Sequence, residues 1–159
     1  MPTSTDYRTT VQVKAPADVV FDAIATTKGL TAWWSPATGS GQTDGELRFP
    51  MVAGQPPLLV HVEEATRPST VRWTVTECTF MRDWEGTQPR FTITPIDDGC
   101  CELTFEHRGL NDALECKDTC ARSWDHFVGT SLRELAEGGP GAPNRSPRDL
   151  ARRAAEESG

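Results

Sequence analysis

Along residues 7–14, Tyr7, Thr9, Val11 and Val13 alternate with Arg8, Thr10, Gln12 and Lys14. A period of two marks a half-buried strand, because successive side chains leave a strand on opposite faces. Ala15-Pro16 ends it. Pro16 suits the start of a helix, and Asp18 suits its first turn, where a negative charge meets unpaired N–H groups. Val19, Val20, Ala23 and Ile24 follow at helical spacing with Phe21 beside them. A second short helix is predicted from Thr27 to Trp33, before the Ser35-Pro36 break. The period of two then returns in five runs: Leu47, Phe49, Met51; Leu58, Val60, Val62; Val71, Trp73, Val75; Phe91, Ile93; and Cys101, Leu103, Phe105, His107. Turn-forming Gly, Pro and Asp residues separate them at short intervals, which favours an antiparallel meander. Finally Cys116, Cys120, Trp124, Phe127, Val128, Ser131, Leu132 and Leu135 recur at three and four, one apolar stripe on a helix over 115–137.

This order predicts an α+β fold. A curved antiparallel sheet of six or seven strands wraps a long C-terminal helix, with two short helices after the first strand. Such a sheet does not touch one helix everywhere, so a cavity between the two is expected. Strand parity turns Val11, Phe49, Val60, Trp73, Phe91, Leu103, Phe105 and His107 towards it, faced by Trp124, Phe127 and Val128. Trp33 and Trp34 are adjacent, so one is expected to pack inward and the other to stand at the cavity entrance. Packing alone explains each apolar residue, since burial is worth about 1.5–3 kcal/mol apiece. As a set, Trp33, Trp34, Phe49, Trp73, Phe91, Phe105, His107, Trp124 and Phe127 point to a site for a small apolar or amphipathic molecule.

Composition narrows the classes. A chain of 159 residues is the size of one domain and can bury a core without disulfides or metals. A net charge of −7 argues against nucleic-acid binding, which needs positive charge to replace phosphate counterions. No apolar run reaches the length of a membrane span, and Met1 to Asp6 lacks the basic-then-apolar pattern of a signal peptide. An odd count of five Cys fits reduced thiols and a cytoplasmic setting. The charge is uneven. Residues 1–138 carry 12 basic and 20 acidic residues, whereas 139–159 carry four Arg and three acids. Glu137-Gly138-Gly139-Pro140-Gly141-Ala142-Pro143 lies at the boundary and is expected to stop the helix and not to pack. We therefore read 1–138 as the domain and 139–159 as a tail, with a short helix from Pro147 capped by Ser146.

Several polar groups are candidates for chemistry. His107 shares parity with the core, titrates near neutral pH, and suits either a ligand carbonyl or acid/base work. The plain alternative is a histidine satisfied by its own protein. Glu77, with Arg48, Asp83 and Glu85, is a candidate polar end to the cavity. Cys116 and Cys120 share a helix face, and with His107 or His126 they resemble part of a zinc site. However, the spacing is not the usual one and no fourth ligand is evident, so no metal or cofactor is expected. Cys100 and Cys101 are neighbours on a strand and face opposite sides. There is no nucleophile elbow, phosphate loop or metalloprotease helix. An edge strand near residues 44–51 offers a route to a homodimer.

Four segments carry a family resemblance: Val11-Gln12-Val13-Lys14-Ala15-Pro16-Ala17-Asp18-Val19-Val20-Phe21, then Trp33-Trp34-Ser35, then His107-Arg108-Gly109-Leu110, and finally Glu115-Cys116-Lys117-Asp118-Thr119-Cys120 leading to Trp124 and Ser131-Leu132. With the element order they resemble the START-related helix-grip (SRPBCC) superfamily, and within it the heat-shock protein 90 ATPase activator-like branch, over residues 7–138. The resemblance implies a cavity for apolar or amphipathic small molecules under the long helix. It also implies two alternatives: a polyketide cyclase-like enzyme with His107 as acid/base, and a chaperone-associated stress-response protein.

Overall fold

Seven strands form one antiparallel sheet: β1 (Tyr7–Val13), β2 (Thr38–Gly39), β3 (Glu46–Phe49), β4 (Leu58–Thr66), β5 (Thr70–Glu77), β6 (Gln88–Asp97) and β7 (Cys100–Arg108). Their order across the sheet is β1-β7-β6-β5-β4-β3-β2. Helices α1 (Ala17–Ala25) and α2 (Thr27–Trp33) follow β1. The long helix, α3, runs through Lys117–His126, a π-helical stretch Phe127–Leu132, and Arg133–Ala136; α4 is Pro147–Ser158. The computed structural model describes residues 6–52, 54–110, 117–144 and 146–158, without the side chains of 117–119 and 156–158. The helix-grip architecture expected from the sequence is the one observed. No helix among the described residues is long and apolar enough to cross a membrane.

The strand registers explain the core. Val11 pairs with Leu103 and Val13 with Cys101; Phe91 lies opposite both Val71 and Phe105; Val60 pairs with Val75 and Val62 with Trp73. Each pair falls on the inner face, so the period of two becomes continuous apolar rows, nearly all fully buried. Bulges break the register at Leu59/Val60, at Val62/Glu64 and at Pro95/Asp97. Such extra residues increase the twist and bend the sheet around the helix. Ile96, the residue skipped in the last of them, points outward and is 54% exposed.

The expected free edge at 44–51 is covered. Thr38 pairs with Arg48 and Gly39 with Leu47, so β2 lies outside β3. A two-residue strand has no period to read, which is why the sequence pattern missed it. Gly39 is required there: at φ +104 a Cβ would sit 2.0 Å from the Glu46 carbonyl oxygen.

The helix stops at Ala136 as expected, but the segment after it packs, contrary to expectation. Ala142 is fully buried. Its N–H donates to Ser131 Oγ at 2.7 Å, and the Asn144 N–H donates to the Trp34 carbonyl at 2.6 Å. Gly141 makes this approach possible, because a Cβ there would lie 2.4 Å from the Ala32 carbonyl oxygen. Composition predicted a polar tail without a core of its own; it did not reveal that the tail borrows hydrogen-bonding partners from the domain. Ser146 Oγ accepts from the Asp149 N–H at 3.2 Å, the cap predicted for α4.

Candidate functional site

The space between sheet and α3 is filled, not hollow. Trp34 lies 4.5 Å from Phe49, 5.1 Å from Trp124 and 5.8 Å from Trp73, centroid to centroid. Phe105 lies 4.4 Å from Trp124 and 4.8 Å from Phe91. These are the spacings of packed aromatic pairs. Trp33 and Trp34 are both buried, Trp33 in the packed core and Trp34 on the wall of a pocket. Trp34 caps the C-terminus of α2, its N–H donating to the Leu30 carbonyl, and its ring stacks beside that of Trp33 with centroids 6.0 Å apart. The Trp33 indole N–H is satisfied by the Ala23 carbonyl at 2.7 Å.

A pocket of about 210 Å³ opens instead beside residues 120–127 of α3. Trp34, Trp124 and Phe127 line it; Trp33, Phe49, Trp73, Phe91, Phe105 and His107 lie behind it in the packed core and do not. The remaining apolar wall comes from loops: Met51 and Val52 after β3, and Phe80, Met81 and Trp84 around the 3₁₀ turn Arg82–Trp84 after β5. Loop residues carry no period, so parity could not find them. Trp84 had no assigned place in the sequence pattern. It is stacked on Trp124 with centroids 5.9 Å apart, and its N–H donates to Cys120 Sγ at 3.3 Å.

The polar side of the pocket is small. Ser123 and Cys120 come from α3, and Asn144 and Arg153 from the segment after residue 138. Arg153 Nε lies 3.0 Å from Asp149 Oδ2, and its Nη2 donates to Asn144 Oδ1. Asn144 Nδ2 in turn donates to the Met51 carbonyl at 3.3 Å, tying the tail to the opposite rim.

His107 is fully buried, with both ring nitrogens engaged. Trp124 Nε1 donates to Nδ1 at 3.0 Å. The Thr87 hydroxyl donates to the Trp84 carbonyl at 2.6 Å, so it accepts from His107 Nε2–H at 2.8 Å. Burial pushes the imidazole pKa down to about 3, which keeps the ring neutral. With no free nitrogen and no place in the pocket lining, His107 packs behind two pocket tryptophans, Trp84 and Trp124, and fixes them. The acid/base role drawn from its parity is corrected accordingly. The other proposed polar residues face solvent or are held by neighbours outside the pocket lining. Glu77 and Asp83 are exposed, Arg48 pairs with Glu46 on the surface, and Glu85 accepts from the Cys78 N–H at 3.0 Å.

Cys116 lies outside the described residues, so the pairing with Cys120 is not addressed there. Among the described residues no three His, Cys, Asp or Glu side chains are grouped to hold a metal. Cys100 is half-buried and Cys101 buried, on opposite faces as expected.

The π-helical stretch follows directly on the pocket-lining part of α3 and shares Phe127 with it. A π turn leaves one carbonyl without its usual partner, and Arg133 Nε donates to the Gly129 carbonyl at 2.9 Å. Ser131, within the stretch, donates to the Trp33 carbonyl at 2.7 Å while accepting from Ala142.

Comparison with solved structures shows the same fold. The Aha1 dimer from Colwellia psychrerythraea superposes with TM-score 0.73 at 22% identity, covering 86% of this chain and 99% of that one. An HSP90 activator from Plasmodium falciparum gives TM-score 0.63 at 19% identity, covering 87% and 99%. DynU16, a protein of the dynemicin biosynthetic locus, gives 0.66 at 21%, covering 84% of this chain and 48% of that one. No curated protein matches the chain. The family model for activator of Hsp90 ATPase homolog 1-like protein matches residues 14–137, most of the chain and all of the sheet and grip helix beyond β1. The chain belongs to the activator of Hsp90 ATPase homolog 1-like family.

Proposed function

We propose that this protein binds a small apolar or amphipathic molecule in the pocket beside residues 120–127 of α3. The observation that supports it is the wall itself: three indoles, two thioethers and two phenyl rings around about 210 Å³, with Ser123, Asn144 and Arg153 as the few strongly polar groups. The volume lies below the roughly 300–1,000 Å³ common for ligand pockets, so the occupant is small or only partly enclosed. The pocket is displaced from the space first expected, because Trp34, Trp73, Phe91 and Phe105 fill that space. The odd count of five Cys in a chain of this size favours a reducing compartment such as the cytoplasm.

Tryptophan fluorescence titration and native mass spectrometry against lipid, polyketide and aromatic panels test the proposal. Saturable quenching and a one-to-one mass increment are expected, and Ser123→Phe, which places a ring in the pocket, should remove both. Absence of saturable binding across the panels, or binding unaffected by Ser123→Phe, would overturn it.

A second reading, contact with a chaperone, is favoured by the family match and by the likeness to the Plasmodium HSP90 activator. It predicts capture of the cell's own chaperone at micromolar protein; no capture counts against it. The likeness to the Aha1 dimer favours a homodimer, which sedimentation velocity tests.

A further inference from the structure

Two groups on the pocket's polar side come from outside the family-matched region, which ends at residue 137. They are Asn144 and Arg153, and the packing of residues 141–144 against α2 and α3 holds them there. Arg153 has five N–H donors. Among the described residues, one faces Asp149 and one is given to Asn144, which leaves three. Asp149 does not serve Arg153 alone: its Oδ2 lies by Arg153, while its Oδ1 accepts from Arg152 Nη2 at 2.7 Å. The positive charge of Arg153 is therefore only partly offset. The Ser123 hydroxyl, on the same pocket, has no side-chain partner among the described residues. Asn144 Oδ1 is already occupied by Arg153. The polar side thus offers donors and a partly unbalanced cation.

Building on the pocket reading above, we propose that the occupant is an amphipathic carboxylate, with its acid group on Arg153 and its apolar body among Trp84, Trp124 and Phe127. A carboxylate only accepts hydrogen bonds at neutral pH, and its two coplanar oxygens match the fork of a guanidinium. Arg153 is 44% exposed, so the acid stays at the water's edge and is spared most of the cost of desolvation. The apolar body reaches the buried indoles behind it. A neutral molecule of the same shape would fill the apolar wall and leave those donors to water.

The test compares 6-bromohexanoate with 6-bromohexanol, whose bromine quenches indole fluorescence on contact. In the wild-type protein the acid is expected to bind roughly tenfold more tightly, the scale of one charge-assisted hydrogen bond at a partly exposed site. Arg153→Gln should bring the two affinities together by weakening the acid alone, and Arg153→Lys should keep part of the difference. High salt should shrink the acid's advantage in the wild type and leave the alcohol unchanged; that arm decides the matter even where a substitution loosens α4. Equal affinities in the wild type, or an acid preference that survives Arg153→Gln or high salt, would overturn the carboxylate assignment and leave the pocket standing. Binding of neither probe would overturn the pocket and this assignment together.

Discussion

His107 makes the protein sensitive to acid well above the range where carboxylates titrate. In the folded protein its pKa lies near 3; in the unfolded chain it is 6.5. Between these values the unfolded chain binds a proton that the folded protein refuses, so stability rises with pH across the window and is lost as pH falls from 6.5 towards 3. Each pH unit inside the window is worth up to about 1.4 kcal/mol, which gives a loss of about 2.5 kcal/mol between roughly pH 7 and pH 4.5 from this one side chain. Protonation places a second proton on Nδ1, which Trp124 already donates to, so the charged ring meets a donor where it needs an acceptor. His107→Gln isolates the effect. Its carbonyl accepts from Trp124, its amide donates to Thr87, and it does not titrate. Urea unfolding followed by circular dichroism at the two pH values gives the difference. The variant is expected to be about 1–3 kcal/mol less stable at neutral pH through lost ring packing. It should then lose about 2.5 kcal/mol less than the wild type on acidification. His126, also lowered by burial, and Glu64, Glu85 and Glu134, lowered chiefly by their hydrogen bonds, contribute equally to both proteins. The same pH loss in both would refute the neutral, doubly bonded imidazole.

Other consequences follow from single contacts. Thr87→Val removes the acceptor for His107 Nε2–H and should cost about 1–3 kcal/mol in urea unfolding, the cost of an unpaired buried donor; a neutral result would mean the ring has another partner. Gly141→Ala places a Cβ against the Ala32 carbonyl at φ +70, so amide hydrogen exchange at Ala142 and Asn144 should accelerate; unchanged exchange would show that the segment docks by other means. Arg148→Gln breaks a surface pair with Glu134 and should cost less than about 1 kcal/mol by thermal melting, with a loss above about 2 kcal/mol counting against that ranking.

The fold was legible because it is written in periods. Inward rows such as Trp73, Phe91 and Phe105 follow from alternation, and the stripe from Cys120 to Leu135 follows from helical spacing. The site was legible only where it shares those periods, at Trp124 and Phe127, and through the paired indoles at Trp34. Met51, Met81 and Trp84 stand on loops whose side-chain directions depend on tertiary contacts, so no local pattern reveals them. His107 shows a different limit. Parity placed it inside correctly, but parity carries no information about partners, and the partners decide whether a buried imidazole is reactive or structural. The tail shows a third. Its polarity was read as an inability to pack, yet hydrogen bonds to Ser131, Trp34 and Met51 supply what apolar surface does not.

The pocket and the tail are one piece of structure, and Ser131 is the reason. Its single hydroxyl donates to the Trp33 carbonyl and accepts from the Ala142 N–H, at 2.7 Å in each case. Asn144, two residues on, donates its own N–H to the Trp34 carbonyl. The end of α2, which aims Trp34 into the pocket, is therefore clamped between the π-helical stretch of α3 and the segment that carries Arg153. An apolar wall and a polar wall from distant parts of the chain share one hydrogen-bonded joint, whose Ser131, Trp33, Trp34 and Ala142 are buried and whose Asn144 is half-buried. Water does not compete for bonds so placed, and breaking one leaves buried groups unpaired. Arg153 is thus positioned by the same contacts that set Trp34, so a change that releases the tail also alters the indole wall. For this reason a charge on a terminal helix, outside the family-matched region, belongs to the pocket.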